Sequence, residues 1–210
     1  MTIKELIEEN IAQKEDCNLC RESSIEVGEK TEYGAVIISR IGKGLEDGWF
    51  ATISPKTGSN PEKDFSIQLM SFAHLTHFAQ LAKYPELAKN YGVLFSKVSM
   101  AMAQIMAEEN PEFKPIVESK ELGTSMATYG KCTNWGEKKE HLHIKVFPFK
   151  GNIGQPYTVD SSFGRKEAFE DPKTKEKFVK MKPVTKVVLS KERFEQLSKK
   201  LIGILSDVEQ

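Results

Sequence analysis

Apolar and polar positions change period several times along the chain, and each change predicts an element. Residues 3–14 form an amphipathic helical pattern. Ala35-Val36-Ile37-Ile38 follows Gly34, and Trp49-Phe50-Ala51-Thr52-Ile53 ends before Pro55. Both are short apolar runs bounded by breakers, so they predict strands. Lys56-Thr57-Gly58-Ser59-Asn60-Pro61 is rich in turn formers and predicts a loop. Phe65-Ser66-Ile67-Gln68-Leu69-Met70 alternates at period two, as a half-buried strand does. From 74 to 87 the pattern is helical, with Pro85 as an interruption. A long helix is predicted over 91–109, with Val93, Leu94, Val98, Met102 and Ile105 along one side. Met100, Met102 and Met106 read as core or helix-surface filler.

Residues 123–133 predict a further strand. After the Asn134-Trp135-Gly136 turn, residues 140–149 predict its antiparallel partner. Residues 151–156 read as a loop, and the charged stretch 171–182 as a mostly solvated segment. A strand at 185–189 precedes a helix over 191–205, with Ser190 as its N-cap and Glu192 in its first turn. The chain therefore predicts one α+β domain over 1–210, an antiparallel sheet with helices on one side.

Composition narrows the setting. A chain of 210 residues can bury a proper core. Its 30 basic and 30 acidic residues cancel, which gives no support for a broad nucleic-acid-binding field. No apolar run is long enough to span a membrane, and the first residues lack the apolar core of a signal peptide. Three cysteines do not make a disulfide scaffold. A cytoplasmic protein is expected.

The candidate chemistry lies in two short motifs. Two of the four histidines fall in His141-Leu142-His143-Ile144-Lys145. On a strand, alternation puts His141, His143 and Lys145 on one face and Leu142, Ile144 and Val146 on the other. Paired imidazoles of this kind can bind a metal, attack a phosphorus atom, divide those tasks, or simply hydrogen-bond. The second motif is Cys17-Asn18-Leu19-Cys20. A CxxC pair is a redox dithiol, half of a zinc site, or a chance spacing. The redox reading wants an apolar strand leading into the motif, whereas a polar helix is predicted there. Zinc needs two further donors, and the candidates are His74, His77 and His141.

Taken in order, these parts resemble the histidine-triad superfamily. The matching parts are the CxxC knuckle, the strand over 65–70, His74 after it, the long helix, Asn134-Trp135-Gly136, and His141 to Phe147. The resemblance spans about residues 15–150 and leaves the last sixty as a C-terminal extension. The layout is similar to the zinc-bearing branch that includes galactose-1-phosphate uridylyltransferase. It implies Cys17, Cys20, His74 and His141 as ligands of a structural zinc, with His74 preferred to His77. It also implies that His143 attacks the α-phosphorus of a nucleotide to form a nucleotidyl-histidine. Water or a phosphate acceptor then resolves that intermediate.

The chain departs from the family pattern at two places. Lys145 stands where the family has histidine or glutamine, and is expected to act in catalysis and phosphate binding. Glu137-Lys138-Lys139-Glu140 replaces small residues that line the phosphate pocket. Asn134 is expected to touch phosphate or ribose. The loop at 151–157 with Ser161, Ser162 and Arg165 is a candidate cover. The implied activity is nucleotide hydrolysis or nucleotidyl transfer, with a nucleotide, nucleotide sugar or dinucleoside polyphosphate as substrate and a homodimer as the assembly. Two alternatives stand beside it: a nucleotide-binding protein that has lost catalysis, and a metal-dependent hydrolase with Glu140 as base.

Overall fold

The computed structural model describes residues 11–57, 65–109, 141–148 and 187–207. It also describes the strands at 124–129, 166–170 and 177–181 and the single positions 111, 114, 172, 174 and 175. Five strands form one antiparallel sheet: β1 (Val36–Ile41), β2 (Trp49–Ile53), β4 (Ile67–Ser71), β5 (Thr124–Tyr129) and β6 (His143–Pro148). Their order across the sheet is β1-β2-β4-β6-β5. The expected pairing of the histidine strand with its predecessor is present, with Tyr129 opposite His143. On its other side β6 pairs with β4, where Met70 lies opposite His143 and Gln68 opposite Lys145.

Alternation divides this sheet into two faces. Ala51, Ile53, Ile67, Leu69, Ile144 and Val146 enter the main core. Against them pack α2 (Pro85–Glu109) and α3 (Lys191–Asp207). This is the predicted α+β arrangement of helices on an antiparallel sheet. α2 buries Leu87, Leu94, Val98, Ala101, Met102, Ile105 and Met106, positions that recur on one side of a 3.6-residue period. Trp49 is anchored beneath it, its indole N–H donating to Leu87 O at 2.8 Å. α3 adds Phe194, Leu197, Leu201 and Leu205 to the same core, so the C-terminal helix is integral to the fold. Its N-cap is as expected: Arg193 N–H donates to Ser190 Oγ at 3.2 Å.

The opposite face carries a smaller cluster of Ile37, Phe50, Met70 and Phe72. Leu19, Ile25 and Leu45 pack on it. A short helix, α1 (Asn18–Glu22), thus sits with the knuckle cysteines beside this face.

Several expectations are corrected. Residues 11–14 are not helical, because Ala12 O is engaged by the backbone N–H of His74 at 2.7 Å; residues 1–10 lie outside the described residues. The loop predicted after Pro55 begins as a short strand, β3 (Lys56–Thr57), paired with β9 (Val187–Val188). Pro85 does not interrupt a helix but opens one. It stands at the first position of α2, where its missing N–H costs nothing. The preceding turns, Phe78–Lys83, are a separate 3-10 helix. Val93, expected on the apolar side of the long helix, is turned outward, 38 % exposed, whereas Met100, also exposed, takes the helix surface, one of its two expected places. The charged stretch near 171–182 contributes a strand, β8 (Lys177–Met181), which pairs with β7 (Lys166–Glu170). The predicted turn at 134–136 and loop at 151–156 lie outside the described residues.

Candidate metal centre

Antiparallel pairing of β4 with β6 sets the end of β4 beside the start of β6. His74 lies three residues beyond β4 and His141 two residues before β6, so both occupy the same end of the sheet. Leu142 N–H donates to Leu75 O at 2.6 Å and ties the two segments together. The CxxC knuckle closes over this end. It is held by Gln13, whose amide donates to Ser23 Oγ at 2.9 Å and Phe72 O at 3.2 Å.

The result is a buried Cys2His2 cluster that can hold a metal ion: Cys17, Cys20, His74 and His141, with all four donor atoms within 4.8 Å of one another. Cys17 Sγ lies 3.5 Å from His141 Nδ1, and Cys20 Sγ lies 3.4 Å from His74 Nδ1 and 3.5 Å from His141 Nδ1. A tetrahedral zinc with bonds of about 2.3 Å to sulfur and about 2.0 Å to nitrogen places those donors about 3.5 Å apart. The spacing therefore fits. The two imidazoles stand edge to face at 81°. Their Nε2 atoms are buried without a hydrogen-bond partner among the described residues, so it is Nδ1 that each ring turns to the sulfurs.

The thiols are already polarised against one another. The hydrogen bond from Cys20 holds Cys17 far below the usual thiol range, against the cost of burial and with help from the His141 and His74 imidazoles. The same shared proton, together with burial, pushes Cys20 upward. A cation replacing that proton would stabilise both thiolates. Next to the knuckle, burial raises the Glu22 carboxyl to about 7, with the Cys17 charge adding to it.

His77, the competing ligand, is excluded from the cluster. Its Nδ1 accepts from Ala79 N–H at 3.1 Å, and Gln80 Oε1 accepts from His77 N–H at 3.0 Å. This reciprocal capping box starts the 3-10 helix.

His143 is the first residue of β6 and belongs to the sheet face opposite the main core. It is 8 % exposed. Its Nδ1 donates to the carbonyl oxygen of His141 at 3.0 Å, which leaves the lone pair on Nε2. Burial lowers the imidazole to about 4, the carbonyl opposing that shift and the Lys145 and His141 charges reinforcing it. The ring is therefore neutral near pH 7. Lys145 follows on the same face, partly buried. The residue pattern did not single out Gln68, which stands opposite Lys145 in register. Alternation marked Gln68 as polar-faced, but nothing in the chain told which strand would neighbour the histidines. Asn134, Lys138, Lys139, Glu140, Ser161, Ser162 and Arg165 lie outside the described residues.

No protein-family model, no curated protein and no solved structure matches the chain. Among the described residues no helix is long and apolar enough to cross a membrane.

Proposed function

We propose that this protein is a nucleotide hydrolase or nucleotidyltransferase that works through a nucleotidyl-histidine on His143, with a structural zinc held by Cys17, Cys20, His74 and His141. The observation that carries this reading is the 3.0 Å hydrogen bond from His143 Nδ1 to His141 O. It supports the reading because it leaves the lone pair on Nε2, the nitrogen that would attack, and because it runs to a residue whose own ring belongs to the candidate metal cluster.

In the proposed reaction the Nε2 lone pair forms a bond to the α-phosphorus. The bond from phosphorus to the leaving-group oxygen breaks, and that oxygen keeps the electron pair. His141 O accepts the Nδ1–H bond throughout and steadies the positive charge that the ring acquires. The oxygen of water, or of a phosphate acceptor, then forms a bond to phosphorus. The phosphorus–Nε2 bond breaks and returns its electron pair to Nε2, and the attacking water gives up a proton to solvent or to the departed leaving group. When bound, zinc supplies charge neutralisation for two thiolates and cross-links the knuckle to the histidine segments. Four buried protein donors suit a structural ion better than a catalytic one, which keeps an open position.

Intact-protein mass spectrometry after brief incubation with nucleoside polyphosphates and nucleotide sugars tests the reading. The expected result is an acid-labile mass increase of one nucleotidyl group, absent from His143→Ala. Binding of mononucleotides with no adduct and no turnover across the panel would instead favour the reading as a binding protein, consistent with Lys145 at the third motif position.

A further inference from the structure

The sheet face that carries His143 has two parallel rows of side chains, and the register defines both. One row runs Phe50, Met70, His143 across β2, β4 and β6. The next runs Thr52, Gln68, Lys145 across the same strands. The first row is apolar up to the imidazole, with Phe50 and Met70 fully buried. The second row is polar throughout. Gln68 lies directly opposite Lys145 and diagonal to His143, a separation of about 7–8 Å between backbones that a long side chain spans.

Gln68 is partly exposed on an otherwise buried strand. Flanking Ile67 and Leu69 enter the main core, so its amide is committed to the His143 face. Neither amide atom has a hydrogen-bond partner among the described residues, whereas the neighbouring Gln13 and Gln80 amides are both bonded. The register therefore sets an amide-bearing and an ammonium-bearing side chain opposite one another, two residues along β6 from His143 and on the same face. Such a pair suits an anion with several oxygens, because the amide gives direction and the ammonium gives charge.

We infer that Gln68 Nε2 and Lys145 Nζ together form the subsite for the phosphate oxygens of the substrate, with Gln68 a substrate-binding residue in its own right. The inference rests on the reading of His143 as the group that meets the phosphate. In this arrangement the phosphate lies over the Gln68–Lys145 pair while Nε2 of His143 faces phosphorus. Gln68 contributes to binding of the phosphate and not of the base or sugar.

The test compares AMP with adenosine, GMP with guanosine and UMP with uridine by calorimetric titration. It uses the zinc-loaded protein, Gln68→Ala, Gln68→Glu and Lys145→Ala, and zinc content reports on folding of each variant. The expected result is that at least one mononucleotide binds more tightly than its nucleoside. Gln68→Ala should reduce that preference about tenfold, and Gln68→Glu, which places an anion at the subsite, should abolish it. Nucleoside affinity should stay unchanged in all variants. A mononucleotide preference retained in full by Gln68→Ala and Gln68→Glu would overturn the inference and leave the His143 reading standing, provided the wild-type protein forms its covalent adduct. Absence of any mononucleotide binding by the wild-type protein, together with absence of an adduct, would overturn both.

Discussion

His74 and His77 stand one helical turn apart in the sequence, and their different fates follow from the backbone around them. Residues 72–77 run without helix, and the His74 N–H is bonded to Ala12 O at 2.7 Å. His74 is thereby directed inward to the cysteines, while His77 turns back to cap the next helix. Opposite outcomes are expected on mutation. His74→Ala should reduce bound metal from one equivalent to a small fraction, measured by elemental analysis after dialysis. His77→Ala should retain full metal and lose only the cap, about 1 kcal/mol in a denaturant titration. Equal metal loss in the two variants would contradict this assignment. The Cys17→Ser and Cys20→Ser variants belong with His74→Ala, since a serine hydroxyl is a poor substitute for a thiolate toward zinc.

At the scale of elements, the β1–β2 connection is where packing is least forgiving. A Cβ on Gly48 would lie 2.1 Å from Phe72 Cδ2 and 2.5 Å from Gly44 O. Phe72 in turn leads directly to His74, and its N–H bonds to Gly48 O at 2.9 Å. Gly48→Ala should therefore destabilise the fold by about 1–3 kcal/mol and weaken metal retention as Phe72 shifts. The urea midpoint and a chelator competition measure the two effects, and a midpoint equal to wild type would refute the close-contact argument. The connection between α2 and α3 is softer. Arg193 meets Glu109 at 3.0 Å with both side chains mostly shielded, 20 % and 25 % exposed. A double-mutant cycle on this pair should give a coupling of about 0.5–1 kcal/mol.

The elements also show what a single chain discloses. Period-two alternation located β4, and the flanking breakers located β2. The cysteine spacing and the two histidine contexts pointed to the metal cluster that the fold assembles. Three features were not legible, for physical reasons. The β3–β9 pairing joins residues more than a hundred positions apart, and two-residue strands carry no periodicity. Pro85 reads the same whether it breaks a helix or begins one, until the hydrogen bonds before it are known. Gln68 acquires its candidate role only from β4 lying beside β6, and strand order is a tertiary property.

For the whole molecule, the Cys2His2 cluster draws together three distant stretches: the knuckle at 17–20, the segment after β4, and the segment before β6. Loop closure costs entropy that grows slowly with length, and here Cys17 and His141 stand 124 positions apart. An ion bound there would hold that closure in the native state and have little comparable hold on the unfolded chain, so its binding energy would add to folding stability. The contacts between the sulfurs and the imidazoles span 3.4–3.5 Å, a spacing set for donors around an ion. Metal removal is therefore expected to act locally before it acts globally. After chelation, hydrogen exchange should quicken first in 11–25, 72–77 and 141–143, which converge on the cluster. The α2–α3 core, built on Leu94, Val98, Met102 and Leu201, should keep its protection. His143 should lose order in the same step, because the carbonyl that orients its ring belongs to His141. Exchange mass spectrometry of chelated and zinc-restored protein checks both parts. Uniform quickening across α2 and α3 would mean that the ion supports the entire core, and unchanged exchange at 141–143 would mean that the strand orients His143 without it.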